Sequence, residues 1–125
     1  MNRRGFSLIE VLFATVILTI VLLSTARFVG QFMHVVTTST VRTVASEVAS
    51  EQVEQVSTDP SYLTLSAQWA GATTGFPGYA RMARRTVVQR VTGANPTRDY
   101  TIVSVQVTEP TMGTPVNMTI VVARP

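Results

Sequence analysis

From Phe6 to Leu23 the chain reads FSLIEVLFATVILTIVLL, and Glu10 is the only ionisable residue in that run. No other feature constrains the fold as strongly. A hydrocarbon core about 30 Å thick takes about 20 helical residues, so this run with its flank to Phe28 is long enough to span a bilayer. The whole chain is 46% hydrophobic, which is ordinary for a folded protein, so the apolar excess sits at this end. Arg3 and Arg4 precede the run, and positive residues on that side hold the N-terminus in the cytoplasm. Everything after about Ala26 is then expected outside the cytoplasmic membrane.

The helical signal does not stop with the apolar run. Between Phe6 and Ser57 there is no proline and one glycine, Gly30. Val29, Phe32, Met33, Val36, Thr40, Val44, Val48 and Val56 fall near helical spacing, with Glu47, Glu51 and Glu54 on a polar side. This is an amphipathic continuation with one face ready to receive a small domain. A helix of about 52 residues would be roughly 78 Å long. One half in lipid and the other under a head domain accounts for such a length. Ser57-Thr58-Asp59-Pro60 stops it, because proline cannot continue a helix and disfavours helix at Asp59.

After the stop, Ser66–Gly78 (SAQWAGATTGFPG) reads as a connecting loop in which Trp69 and Phe76 are anchors. Three strands are expected at Arg84–Val91, Tyr100–Thr108 and Val116–Ala123, separated by turn chemistry at Gly93-Ala94-Asn95-Pro96 and Pro110-Thr111-Met112-Gly113. Short connections favour an antiparallel meander, which gains stability when one face lies on the helix. The expected fold is α+β: one long N-terminal helix with an antiparallel sheet of three or four strands on its second half. The expected segments are 1–5, a leader; 6–28, the membrane-spanning part; 29–59, the amphipathic part; and 60–125, the head.

Several chemistries find little support. No nucleophile–base pair, phosphate loop or metal cluster is evident, so an enzyme is not expected, nor is a cofactor. His34 has no second ligand at metal spacing, and Asp59, Asp99 and Glu109 are scattered for a calcium site. Arg81, Arg84, Arg85 and Arg90 form a weak nucleic-acid signal in a chain of net charge +3. On a strand, Arg84 and Arg90 share a face while Arg85 points away. These arginines are better read as a solvated edge or as partners for Glu47, Glu51 and Glu54. With no cysteine, the chain has neither disulfides nor thiolate metal sites.

Residues 3 to 13, RRGFSLIEVLF, resemble the processing and assembly segment shared by type IV pilins and the pseudopilins of type II secretion systems. The resemblance runs through about Leu23 and does not extend to the head. It implies cleavage between Gly5 and Phe6 by a prepilin peptidase, N-methylation of Phe6, and extraction by an assembly platform into a filament of pilin or pseudopilin subunits. It also implies storage in the inner membrane as a single-pass protein, followed by a filament in the periplasm or at the cell surface. The residues suit those roles. Gly5 offers a protease cleft no side chain. Phe6 would carry a cationic amine one helical turn before Glu10, and a carboxylate within an apolar span is usually paired and functional.

The apolar stretch is similar to V-type minor pilins and I-type minor pseudopilins. Many major pilins close a C-terminal loop with a disulfide and kink the helix with a proline, and this chain has neither cysteine nor a proline before Pro60. A minor pilin is therefore the favoured expectation, with a type II secretion pseudopilin as its alternative. Two readings without a filament stay open. The segment could be a signal peptide cut after Ala26, or an uncleaved single-pass anchor for a binding domain.

Overall fold

A computed structural model of the chain describes residues 5–94 and 98–125. Helix α1 runs Leu8–Thr58, starting three residues after Gly5 and ending two before Pro60. The chain divides into two compact units, Met1–Thr37 and Thr38–Pro125.

In the first unit the helix is apolar on every side, and its large side chains face outward. Leu8, Leu12, Phe13, Ile17, Leu22, Phe28 and Phe32 are all exposed. The apolar window is long enough to cross a membrane and none of it is buried, unlike the core helix of a soluble protein. Phe28 and Phe32 stack one turn apart, with ring centroids 6.3 Å from each other.

The second unit is the head. After α1 come a turn of 3-10 helix at Tyr62–Thr64, a short helix α2 at Leu65–Trp69, and four strands. These are β1 (Gly71–Phe76), β2 (Tyr79–Thr92), β3 (Asp99–Thr108) and β4 (Val116–Ala123). Their order in the sheet is β1-β2-β3-β4, with every neighbouring pair antiparallel. The meander follows from its short connections. Pro77-Gly78 joins Phe76 to Tyr79, its partner across the hairpin, and Gly78 takes φ +77°. A positive φ after proline is the type II turn requirement, which glycine meets without strain.

One sheet face lies on α1. Met82, Thr86, Val103, Val105 and Val107 are buried there with Thr101, while Arg85, Gln106 and Thr119 point to solvent. The register places Thr86, Val105 and Met118 in one row across three strands, and Val88, Val103 and Ile120 in the next. From α1 the buried stripe is Val41, Ala45, Ala49, Gln52 and Val56, steps of three and four residues that keep to one side of a helix. Ala45 and Ala49 are 0% exposed, and their small side chains let the helix approach the valines closely. Leu65 from α2 and Tyr62 complete the core.

Two expectations need correction. The segment 66–78 is not a loop: it forms most of α2 and all of β1. β1 is exposed from Gly71 to Gly75, so no alternation of apolar residues marked it as a strand. Its existence depends on β2, which starts at Tyr79 rather than Arg84 and supplies the pairing backbone. The helix face that receives the head also begins later than the apolar pattern suggested. Val29, Phe32, Met33 and Val36 are exposed, and burial starts at Val41.

Candidate functional site

The segment to which the sequence assigns function starts at Gly5. Arg3 and Arg4 lie outside the described residues. A Cβ on Gly5 would meet nothing within 4 Å, so nothing within the described fold demands glycine at this position. Phe6 is 82% exposed and precedes the helix, leaving the Gly5–Phe6 peptide outside regular structure. Ser7 accepts the first helical bonds: its carbonyl takes the amides of Glu10 at 3.0 Å and Val11 at 3.2 Å. Ser7 and Glu10 therefore occupy the first turn in the spacing of a capping box, Ser-x-x-Glu. That local pattern was readable in the sequence. A carboxylate in the first turn is also favoured by the positive end of the helix dipole.

The polar side chains of the apolar segment separate Glu10 from the rest. Thr15 donates to the Leu12 carbonyl, Thr19 to Thr15, Ser24 to Ile20 and Thr25 to Val21, all at 2.7–2.8 Å. Each hydroxyl is thus satisfied inside its own helix and is compatible with lipid around it. Arg27 lies near the far end, where a long side chain can reach the interface. For Glu10 no such bond is formed among the described residues, and none of them pairs with its carboxylate.

In the head, polar side chains gather where the sequence suggested no site. Asp99 opens β3 and sits under Arg90 of β2. Arg90 donates through Nε at 2.9 Å and Nη2 at 2.6 Å, a two-pronged pair. Tyr62 Oη donates to the same carboxylate at 2.9 Å, and Arg124 adds a contact at 3.3 Å from the end of β4. The Arg90 guanidinium also lies 5.4 Å from the Tyr62 ring centroid. Hydrogen bonding from Arg90, supported by that from Tyr62, brings the Asp99 carboxyl down to about 2. The cluster ties the post-helix turn to three strands. Asp59 has a related role: it accepts from the Ser61 amide at 2.8 Å and from the Trp69 indole at 2.7 Å. Those bonds, the Ser61 amide first, lower its pKa.

Two of the four arginines of β2 are thereby accounted for differently from the expectation, while Arg81 and Arg85 are exposed. Arg84 and Arg90 do share the helix-side face, as the alternation required, but Arg84 covers the Phe76 ring at 5.4 Å and Arg90 binds Asp99. Among the described residues neither forms an ion pair with Glu47, Glu51 or Glu54. Glu51 instead accepts from Gln55 one turn on. Neither Asp99–Arg90 nor Asp59–Trp69 could be read from sequence spacing, because the first depends on strand register and the second on the turn after α1.

A membrane-length helix with one carboxylate inside its apolar length, together with a small α+β head, fits a membrane-anchored protein. Residues 1–26 match the prokaryotic N-terminal methylation motif, the prepilin-type signal, and so support placing the chain in the pilin and pseudopilin family. That family is structural rather than catalytic, and the motif implies processing by a prepilin peptidase and assembly with other pilin subunits. No curated protein and no solved structure matches the chain.

Proposed function

We propose that the chain is a minor type IV pilin that is cut between Gly5 and Phe6, N-methylated on Phe6, and built into a filament through α1. Residues 1–5 act as the leader, 6–28 as the membrane and filament-core helix, 29–59 as the continuation toward the head, and 60–125 as the head itself. Arg3 and Arg4 keep the leader in the cytoplasm, where the peptidase acts, and the head is exported. Lipids surround the helix before assembly, and neighbouring helices replace them afterwards.

The observation that carries this reading is the polar accounting of the apolar helix. Its hydroxyls are bonded to their own backbone, whereas among the described residues the Glu10 carboxylate has no partner, and in apolar surroundings it needs a cation. Cleavage after Gly5 would create such a cation on Phe6, one turn away in the same chain or on a neighbour. An ion pair in apolar surroundings contributes little net stability, and its best-attested use is to specify register. A filament core needs that property. The exposed Gly5, for which the fold itself has no steric requirement, suits a requirement set by the peptidase cleft.

Mass spectrometry of the N-terminal peptide from membranes of the native cell tests the reading. N-methyl-Phe6 is expected. A chain starting at Met1 would leave an uncleaved anchor, and one starting at Arg27 would mean a signal peptide; either result overturns the proposal.

A further inference from the structure

The helix-side face of the sheet is not filled at its β1 end. The row of Thr86, Val105 and Met118 continues on β1 with Gly71, the partner of Thr86. A Cβ at Gly71 would meet nothing within 4 Å, and its φ of +148° is one that glycine adopts without strain. Where a side chain would stand there is a polar cavity of about 300 Å³, bounded by the last turns of α1, by α2 and by strands β1 and β2. Its walls carry Gln52 and Gln55 from α1, Gln68 from α2, Thr73 from β1, and Arg84 and Thr86 from β2. None of the described residues lining it is a carboxylate, and all of them belong to the head unit.

Two of these side chains have chemistry that the fold leaves unused. Gln52 is 4% exposed, yet its Oε1 accepts no hydrogen bond from any described residue. It stands on the buried stripe of α1 between Ala49 and Val56, where an apolar side chain would fill the space without an orphaned oxygen. Arg84 is half-buried, and its guanidinium lies 5.4 Å from the Phe76 ring centroid. The ring holds the cation in place without neutralising it, and no described carboxylate forms an ion pair with it. Trp69 also stands in the wall, its orientation fixed by the 2.7 Å bond from its indole N–H to Asp59.

Independently of the filament reading, we propose that this cavity binds a sugar acid, one hexuronate unit, with its carboxylate on Arg84 and a hydroxyl donating to Gln52. A plain anion would satisfy Arg84 and leave the Gln52 oxygen without a donor. A neutral sugar would do the reverse. The remaining wall groups are carboxamides and hydroxyls, which both donate and accept, as sugar hydroxyls require. A small rotation of the Gln52 carboxamide, whose last torsion is broad, turns its oxygen toward the ligand. The Trp69 ring gives the C–H side of the sugar an apolar surface. The volume stands at the lower end of small-molecule sites and suits a single ring. A free uronate and one unit of an acidic polysaccharide present the same groups to it.

Calorimetric titration of the purified full-length chain in detergent tests this, with glucuronate and galacturonate set beside glucose, acetate and N-acetylaspartate amide, a mimic of an acidic peptide. The better uronate should bind about tenfold more tightly than each of the other probes. Arg84→Gln should reduce it to the affinity of glucose. Gln52→Leu should reduce it to that of acetate while head melting holds or rises, because the orphaned oxygen is gone. Equal binding of glucose, acetate or N-acetylaspartate amide overturns the proposal, as does binding of no probe. Lower melting of Gln52→Leu with uronate affinity retained makes Gln52 a structural residue and also overturns it. An oligouronate that binds more tightly than the monomer assigns the site to a polysaccharide, and equal affinity assigns it to a free sugar acid; both support the proposal. Processing at Phe6 does not enter these measurements, so their failure leaves the pilin reading intact.

Discussion

The segment from Leu8 to Val36 and the head from Val41 onward treat apolar side chains in opposite ways. In the first, Phe13, Ile17, Leu22, Phe28 and Phe32 are all more than half exposed. In the second, Met82, Val56, Val103 and Val107 are fully buried around Ala45 and Ala49. Polar groups invert the pattern. The head places Asp99 among Arg90, Tyr62 and Arg124, whereas the apolar helix leaves Glu10 without a described partner. The head thus pairs the Asp99 carboxylate with its own residues, whereas the outward-facing apolar side chains of the N-terminal segment find no cover within the described fold; on the proposed reading, lipid and then other helices supply it. Stability and assembly should therefore separate by mutation.

The largest effect is expected from Glu10→Ala. Membrane insertion should persist, while incorporation into filaments is lost, as read by immunogold labelling or pull-down; normal incorporation would break the contrast between the two regions. Leu65→Ala should do the reverse. Removing this buried side chain destabilises the head by about 2–5 kcal/mol, and thermal melting measures it, with the N-terminus still processed to Phe6. Loss of processing in that variant would show the two regions to be coupled. Ala49→Leu forces bulk between α1 and the sheet and should lower head stability by about 1–3 kcal/mol in the same assay.

A finer test uses acid. The Asp99 carboxyl falls from an ordinary 3.8 to about 2, so its folded form holds a proton less readily than its unfolded form. The stability it contributes is present above about pH 4 and is lost as pH falls toward 2. Melting curves of the native chain should therefore decline across that window, and Asp99→Asn should flatten the decline while lowering stability near neutral pH. An unchanged acid limb would remove Asp99 from the account of the head. The smallest effect belongs to Thr19→Val. Its hydroxyl bonds only to the Thr15 carbonyl, so insertion and incorporation should match the native chain, with any stability change within about 0.5 kcal/mol. A marked loss would mean that Thr19 meets a partner outside its own helix.

Legibility followed the range of the interactions involved. The end of α1 was visible because proline acts on its immediate neighbours, and the helix stops at Thr58. β4 was visible for the same kind of reason: alternation of Val116, Met118, Ile120 and Val122 with polar or exposed residues is set within the strand. β1 was hidden because Gly71–Phe76 carries no such alternation and is held by the backbone of β2. Arg90 was misassigned because a guanidinium has several carboxylates within sequence reach, and strand register chooses Asp99.

By itself, the sequence determined the apolar helix, the singular position of Glu10 within it, and the motif that precedes it. These are properties of adjacent residues, and they act through helix geometry and the cost of placing charge in lipid. Only the tertiary structure decided where the helix begins to be covered, at Val41 rather than Val29, and which edges the sheet leaves open. Both depend on how strands from distant parts of the chain pair and which helix face they then cover, and no local pattern encodes that choice.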